Sequence, residues 1–205
     1  MKKIMFSDKF GLTEAVLSGR KTQTRRVVSE SLWNKWTEYD DFCGSVGVRG
    51  LNEIGVAVTR EYSDCEKFFL DNSPFKIGEV VAVAQSYHSF YNDECDPRLF
   101  PDGAGWTNKM FVRADLIPHQ IRITNIRVER LQDISYEDCL AEGVEKIAEC
   151  ENLYRVAVHH KSGKFSYLSG KTPREAYAAL IDRISGKGTF ERNPYVFVYE
   201  FELIK

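Results

Sequence analysis

Gly19-Arg20-Lys21-Thr22-Gln23-Thr24-Arg25-Arg26-Val27-Val28 is the stretch on which the reading of this 205-residue chain turns. From Lys21 onward it holds no apolar side chain until Val27. A core strand needs at least one apolar face, so the stretch is expected as a loop, or as an exposed edge leading into a strand. Upstream, Lys3 to Phe6 is a short strand candidate. Ser7 is placed to cap a helix carrying Phe10, Ala15 and Val16, which Gly19 can close in the left-handed conformation.

Downstream, residues 29–74 are irregular in pattern. Trp33 and Trp36 could anchor a short helix, Ile54 to Val58 reads as a strand, and Asp71-Asn72-Ser73-Pro74 is a turn cluster. Val80-Val81-Ala82-Val83-Ala84 suits a buried strand. Residues 88–109 form a long excursion, and Met110 to Ala114 is a strand candidate. Ile121 to Leu131 alternates with one slip at Thr124-Asn125, which predicts a strand with a bulge. Ser135 should cap a helix that stops at Gly143. Residues 150–170 form another excursion. Pro173 should open a helix through Ile184, ended by Gly186-Lys187-Gly188, and Tyr195 to Phe201 is the closing strand. Strands mixed irregularly with a few helices argue for α+β with a mostly antiparallel sheet or barrel.

Composition narrows the function. With 43% hydrophobic and 28% charged residues the chain is expected to fold as one domain over residues 1–205. A net charge of −2 means that any anion site must be local. Five cysteines without CxxC spacing speak against a zinc site or a disulfide framework. The histidine pattern assigns no metal, and no cofactor is expected. No apolar run approaches the roughly 18 residues of a membrane span, so a cytoplasmic setting with free thiols is expected.

Three constellations carry chemistry. Residues 19–26 pack four cations and two hydroxyls into eight positions, a set suited to phosphate, sugar and base edges or to a solvated basic loop. Glu142 in Ala141-Glu142-Gly143 becomes a general acid or base only if it is buried near a cation; otherwise it is a surface residue before a helix cap. Tyr87, Trp106 and the Phe190–Tyr195 region, with Asn193, could stack on or hydrogen-bond a base, or could simply pack.

Taken in order, these motifs resemble the ASCH domains of the PUA-like superfamily of small β-barrels. Gly19 to Arg26 resembles the family signature. Ile77-Gly78-Glu79-Val80 resembles its turn into a central strand, and Ile123 to Ser135 its next strand. Ala141-Glu142-Gly143-Val144 and Asn193-Pro194-Tyr195-Val196-Phe197 resemble its later steps. Residues 29–74, 88–109 and 150–170 would be insertions typical of longer bacterial and phage forms. Where relatives often carry Val-Arg-Glu-Thr-Trp, this chain has Val83-Ala84-Gln85-Ser86-Tyr87. The resemblance implies a small bent β-barrel with helices outside. It also implies binding of RNA or a nucleotide by Arg20, Lys21, Thr22, Thr24, Arg25, Arg26, Tyr87 and Asn193. A second implied function is metal-independent hydrolysis of acetylated cytidine, with Lys21, Thr24 and Glu142 as catalysts. A third possibility is a phage or mobile-element interaction module without chemistry. For catalysis Lys21 and Thr24 must converge, and an extended strand would send them to opposite faces.

Overall fold

The structure, a computed structural model, describes residues 1–45, 62, 64–91, 103–160 and 162–204. Its centre is the antiparallel pair of β4 (Gln120–Arg130) and β8 (Tyr195–Leu203). Val196, Phe197, Val198 and Tyr199 are all buried, so β8 is covered on both faces, as its unbroken apolar run requires. The phase slip at Thr124-Asn125 is a register shift between Ile123 and Asn125. There the Asn125 side chain accepts a hydrogen bond from the Ile126 N–H.

Around this pair lie β1 (Lys3–Ile4), β2 (Gln23–Val27) and β3 (Val80–Val83), in the order β1-β3-β4-β8-β2. Only β1 and β3 run parallel within this sheet. The fold is therefore α+β and mostly antiparallel, but among the described residues the sheet does not close into a barrel. Instead Arg26 of edge strand β2 donates from Nη2 to the Met5 carbonyl, just beyond the other edge. Phe6 packs against Phe201 with ring centroids 5.8 Å apart, and the Arg26 guanidinium lies 5.7 Å from the Phe6 ring.

The first helix departs from expectation. Ser7 makes no side-chain cap, and Gly11, at φ 63°, splits the segment into a single turn at Asp8–Phe10 and α1 (Leu12–Leu17). The helix around Trp33 and Trp36 is long, α2 (Glu30–Ser45), and it meets α3 (Cys65–Asp71). Trp33, Trp36, Tyr39, Phe68 and Phe69 form an aromatic cluster between them, with Phe69 fully buried. The expected strand at Ile54 to Val58 lies outside the described residues. The expected strand at Met110 to Ala114 is absent; single turns occupy Lys109–Phe111 and Ala114–Leu116. The carbonyls of Lys109, Met110 and Val112 point at the Lys3 ammonium rather than into a ladder.

Residues 150–170 are not an irregular excursion. They supply β6 (Tyr154–His159) and β7 (Phe165–Gly170), which with β5 (Glu145–Lys146) make a three-stranded antiparallel sheet. Tyr154, Val156 and Val158 alternate inward. They face α5 (Pro173–Ser185), opened by Pro173 and by the Thr172 hydroxyl, which accepts from the Glu175 N–H at 3.1 Å. Ala176, Tyr177, Leu180 and Ile181 form the buried stripe of α5. Helices α4 (Tyr136–Ala141) and α6 (Thr189–Arg192) flank it.

Gly170 holds the β7–α5 corner. A Cβ there would lie 2.5 Å from the Glu175 Cβ and 2.7 Å from the Ala176 backbone nitrogen. Gly170→Ala is expected to cost about 1–3 kcal/mol through forced backbone movement, read as a lower urea midpoint with an unchanged slope.

Candidate functional site

The basic segment is bent before it becomes a strand. Gly19 has φ 74°, the Lys21 N–H returns to the Ala15 carbonyl at 2.9 Å, and the Thr22 N–H reaches the Ala141 carbonyl at 3.0 Å. Alternation therefore starts only at Gln23. Lys21, before it, and Thr24, within it, border the same cavity of about 90 Å³.

Glu142 follows α4, whose first turn is capped by the Ser135 hydroxyl accepting from the Asp138 N–H. Gly143 takes φ 101° and sends its N–H to the Leu140 carbonyl at 2.9 Å. This turn brings Glu142 to Lys21. The ammonium donates to Glu142 Oε2 at 2.5 Å and to the Glu142 carbonyl, left unpaired by the helix end, at 2.8 Å. Lys21 is only 2% exposed and Glu142 4%, so the surface-residue reading of Glu142 does not hold.

The sequence led us to expect a loop or exposed edge. The structure shows an edge strand in which Gln23, Thr24 and Arg25 are buried, because carboxylates from neighbouring elements meet Gln23 and Arg25. Arg25 donates from Nε and Nη2 to Glu129, from Nη2 to Asp138 at 2.6 Å, and from Nη1 to Gln23 and Glu142. Arg127 adds bonds to Glu129, Asp138 and Glu200. The Gln23 amide donates to Asp138 at 3.1 Å. Lys21 and Arg25 are thus neutralised inside the protein rather than displayed to solvent.

Burial acts most strongly on Lys21 and lowers its pKa from the ordinary 10.5. Glu142 opposes that shift, while Arg26 and Arg25 add to it. Burial would raise the Asp138 carboxyl, but Arg25 and Arg127 outweigh it and hold the group below 3.8. The Cys139 thiol is pushed up to about 12, chiefly by burial, and is not a ready nucleophile.

The other expected ligand residues are placed differently. Arg26 borders the cavity but is turned toward Met5. Arg20 is exposed and paired with Glu145, and Thr22 is exposed. Tyr87 sits in a separate apolar cluster with Ala82, Val112 and Ile117. Asn193, at φ 49°, accepts from the Gln132 N–H and shapes the bend before β8. Gln85 binds His119 at 2.7 Å and does not line the cavity, so the changed residues at positions 84 and 85 lie apart from it.

Sequence reasoning missed Tyr177 and the carboxylates Glu129 and Asp138. Tyr177 falls on the apolar stripe of α5 and reads as core, yet it lines the cavity. Asp138 stands in the first turn of α4, where a carboxylate reads as a local feature of the helix start. Among the described residues no group of three or more His, Cys, Asp or Glu is placed to hold a metal ion, and no helix is long and apolar enough to cross a membrane. No family model, curated protein or solved structure matches the chain.

Arg25→Met leaves Glu129, Asp138 and Glu142 without their shared cation and should cost about 3–5 kcal/mol, measured by urea unfolding. Because the folded-state pKa of Asp138 is depressed, its contribution is complete above about pH 4 and lost as the pH falls through the lowered value. The thermal midpoint of the wild type should drop over that acid window.

Proposed function

We propose that this protein is a metal-independent amidohydrolase that removes a short acyl group from the exocyclic amine of a nucleoside, with acetylated cytidine as the reference substrate. The observation that carries this reading is one cavity bordered by Thr24, Lys21 and Glu142, with the Lys21 ammonium and the Glu142 carboxylate buried and 2.5 Å apart. The motif resemblance to ASCH domains supplies the substrate class. The curvature implied by Arg26 reaching the far sheet edge, with helices outside, supports a PUA-like reading of the fold.

The chemistry follows from burial. Moving one proton from Lys21 Nζ to Glu142 converts the ion pair into a neutral pair, which the dry site favours more than water does. Neutral Lys21 takes the Thr24 proton as Oγ1 bonds to the acyl carbon. The tetrahedral adduct collapses, the C–N bond breaks, and the leaving amine takes the proton held on Glu142. This restores the ion pair and leaves the acyl group on Thr24. In the second half Lys21 again passes its proton to Glu142 and then takes one from water as the hydroxide bonds to the acyl carbon. The bond to Oγ1 breaks, Glu142 returns its proton to Thr24 Oγ1, and the carboxylic acid leaves as the ion pair re-forms. Arg25, fixed by three carboxylates, keeps Glu142 aimed at Lys21.

The space also bears on substrate. An engineered cavity of about 150 Å³ holds one benzene, so about 90 Å³ suits an acetyl group and its amide edge, with the base at the mouth. Binding of RNA or a free nucleotide through this segment has less support, because Arg25 spends its donors on internal carboxylates. A non-catalytic interaction module would leave the buried pair without a role.

Release of cytidine from its acetylated form is the deciding measurement. Lys21→Ala is expected to lower turnover about 10²–10⁴-fold, and Thr24→Ala to leave no acyl adduct in a quenched mass-spectrometric assay. Equal turnover by the wild type and Lys21→Ala would discard the role given to Lys21. Tight RNA affinity that falls steeply with salt would favour the binding reading instead.

A further inference from the structure

Tyr177 is 1% exposed, and its ring packs edge-on to Phe190 with centroids 6.5 Å apart. Its hydroxyl is buried and has no hydrogen-bond partner among the described residues. Buried hydroxyls are nearly always paired, and leaving one unpaired is unfavourable. A phenylalanine would fill the same space without that penalty. The orphan hydroxyl belongs to a side chain that borders the cavity shared by Lys21, Thr24 and Glu142. Of the described side chains around that cavity, it is the one with a buried polar atom that nothing satisfies.

Hydrolysis at this site needs a donor for the acyl oxygen, which gains negative charge as Thr24 attacks. Arg25 is committed to Glu129, Asp138, Gln23 and Glu142. Lys21 already donates twice to Glu142, and Arg26 is turned to the Met5 carbonyl. A neutral phenol in a buried wall meets the requirement. We propose that Tyr177 is a further catalytic residue, whose O–H donates to the acyl oxygen of the bound amide and to the oxyanion formed from it. The assignment rests on the amidohydrolase reading. Burial, and then the nearby Glu142 charge, raise the phenol well above its ordinary pKa of 10.0, so it remains a donor throughout the neutral range.

The test compares the wild type with Tyr177→Phe on cytidine acetylated at its exocyclic amine, measuring kcat, KM and the thermal midpoint. The expected result is a fall in kcat of about 10²–10³-fold, a smaller change in KM, and a thermal midpoint equal to or above that of the wild type. A hydroxyl serving structure alone would lower the midpoint and spare kcat. Turnover by the wild type with an unchanged kcat in Tyr177→Phe overturns this assignment and leaves the amidohydrolase reading standing. No turnover by the wild type overturns that reading and the role of Tyr177 with it.

Discussion

Much of this structure is arranged so that one ammonium and one carboxylate can meet away from water. Bringing Lys21 and Glu142 out of solvent carries a desolvation penalty of several kcal/mol per ion. Their contact offsets it only if every remaining lone pair and proton finds a partner. The surrounding fold supplies those partners. The bend at Gly19 aims the lysine, the left-handed Gly143 frees a carbonyl for it, and Arg25 holds the other carboxylate oxygen. Glu129 and Asp138 then balance Arg25, and Arg127 pairs with both of them in turn.

That chain of compensation explains why the segment was only partly legible from sequence. The periodicity of β4, its bulge, the uniformly apolar β8 and the proline-led α5 are local signals, and local physics delivered them. The fate of Lys21, Gln23, Thr24 and Arg25 is not local. Polarity alone points such residues outward. Only carboxylates more than a hundred positions away, such as Glu129 and Glu142, make burial tolerable. The same limit hid β6 and β7. Their inward alternation of Tyr154, Val156 and Val158 is short and flanked by polar residues, and becomes decisive only once α5 covers it. Tyr177 was hidden in the opposite sense, since an aromatic on an apolar helix stripe gives no hint that its oxygen lacks a partner.

The functional reading shifts accordingly. A run of cations in a sequence suggests an anion at the surface. Here the anions are already present, as side chains of the same protein, and the slightly acidic overall balance is consistent with that. What borders the cavity is a threonine beside a lysine and a glutamate that already pair with each other. The proposed acyl transfer rests on that set, whereas polyanion recognition would call for unpaired cations.

The unclosed sheet has a consequence for how the site breathes. Strand β2 is bonded to β8 along one side only, and its other side is tied across the seam by the Arg26 side chain. A ladder opens by breaking many bonds together, whereas a single side chain swings by rotating about a few. The wall carrying Thr24 is therefore the compliant one, and that carrying Tyr177, built into the longer helix α5, the stiff one. Widening of the cavity would consequently change the distance between Thr24 and α5 while leaving the Lys21–Glu142 contact, anchored at the base of the strand, nearly constant.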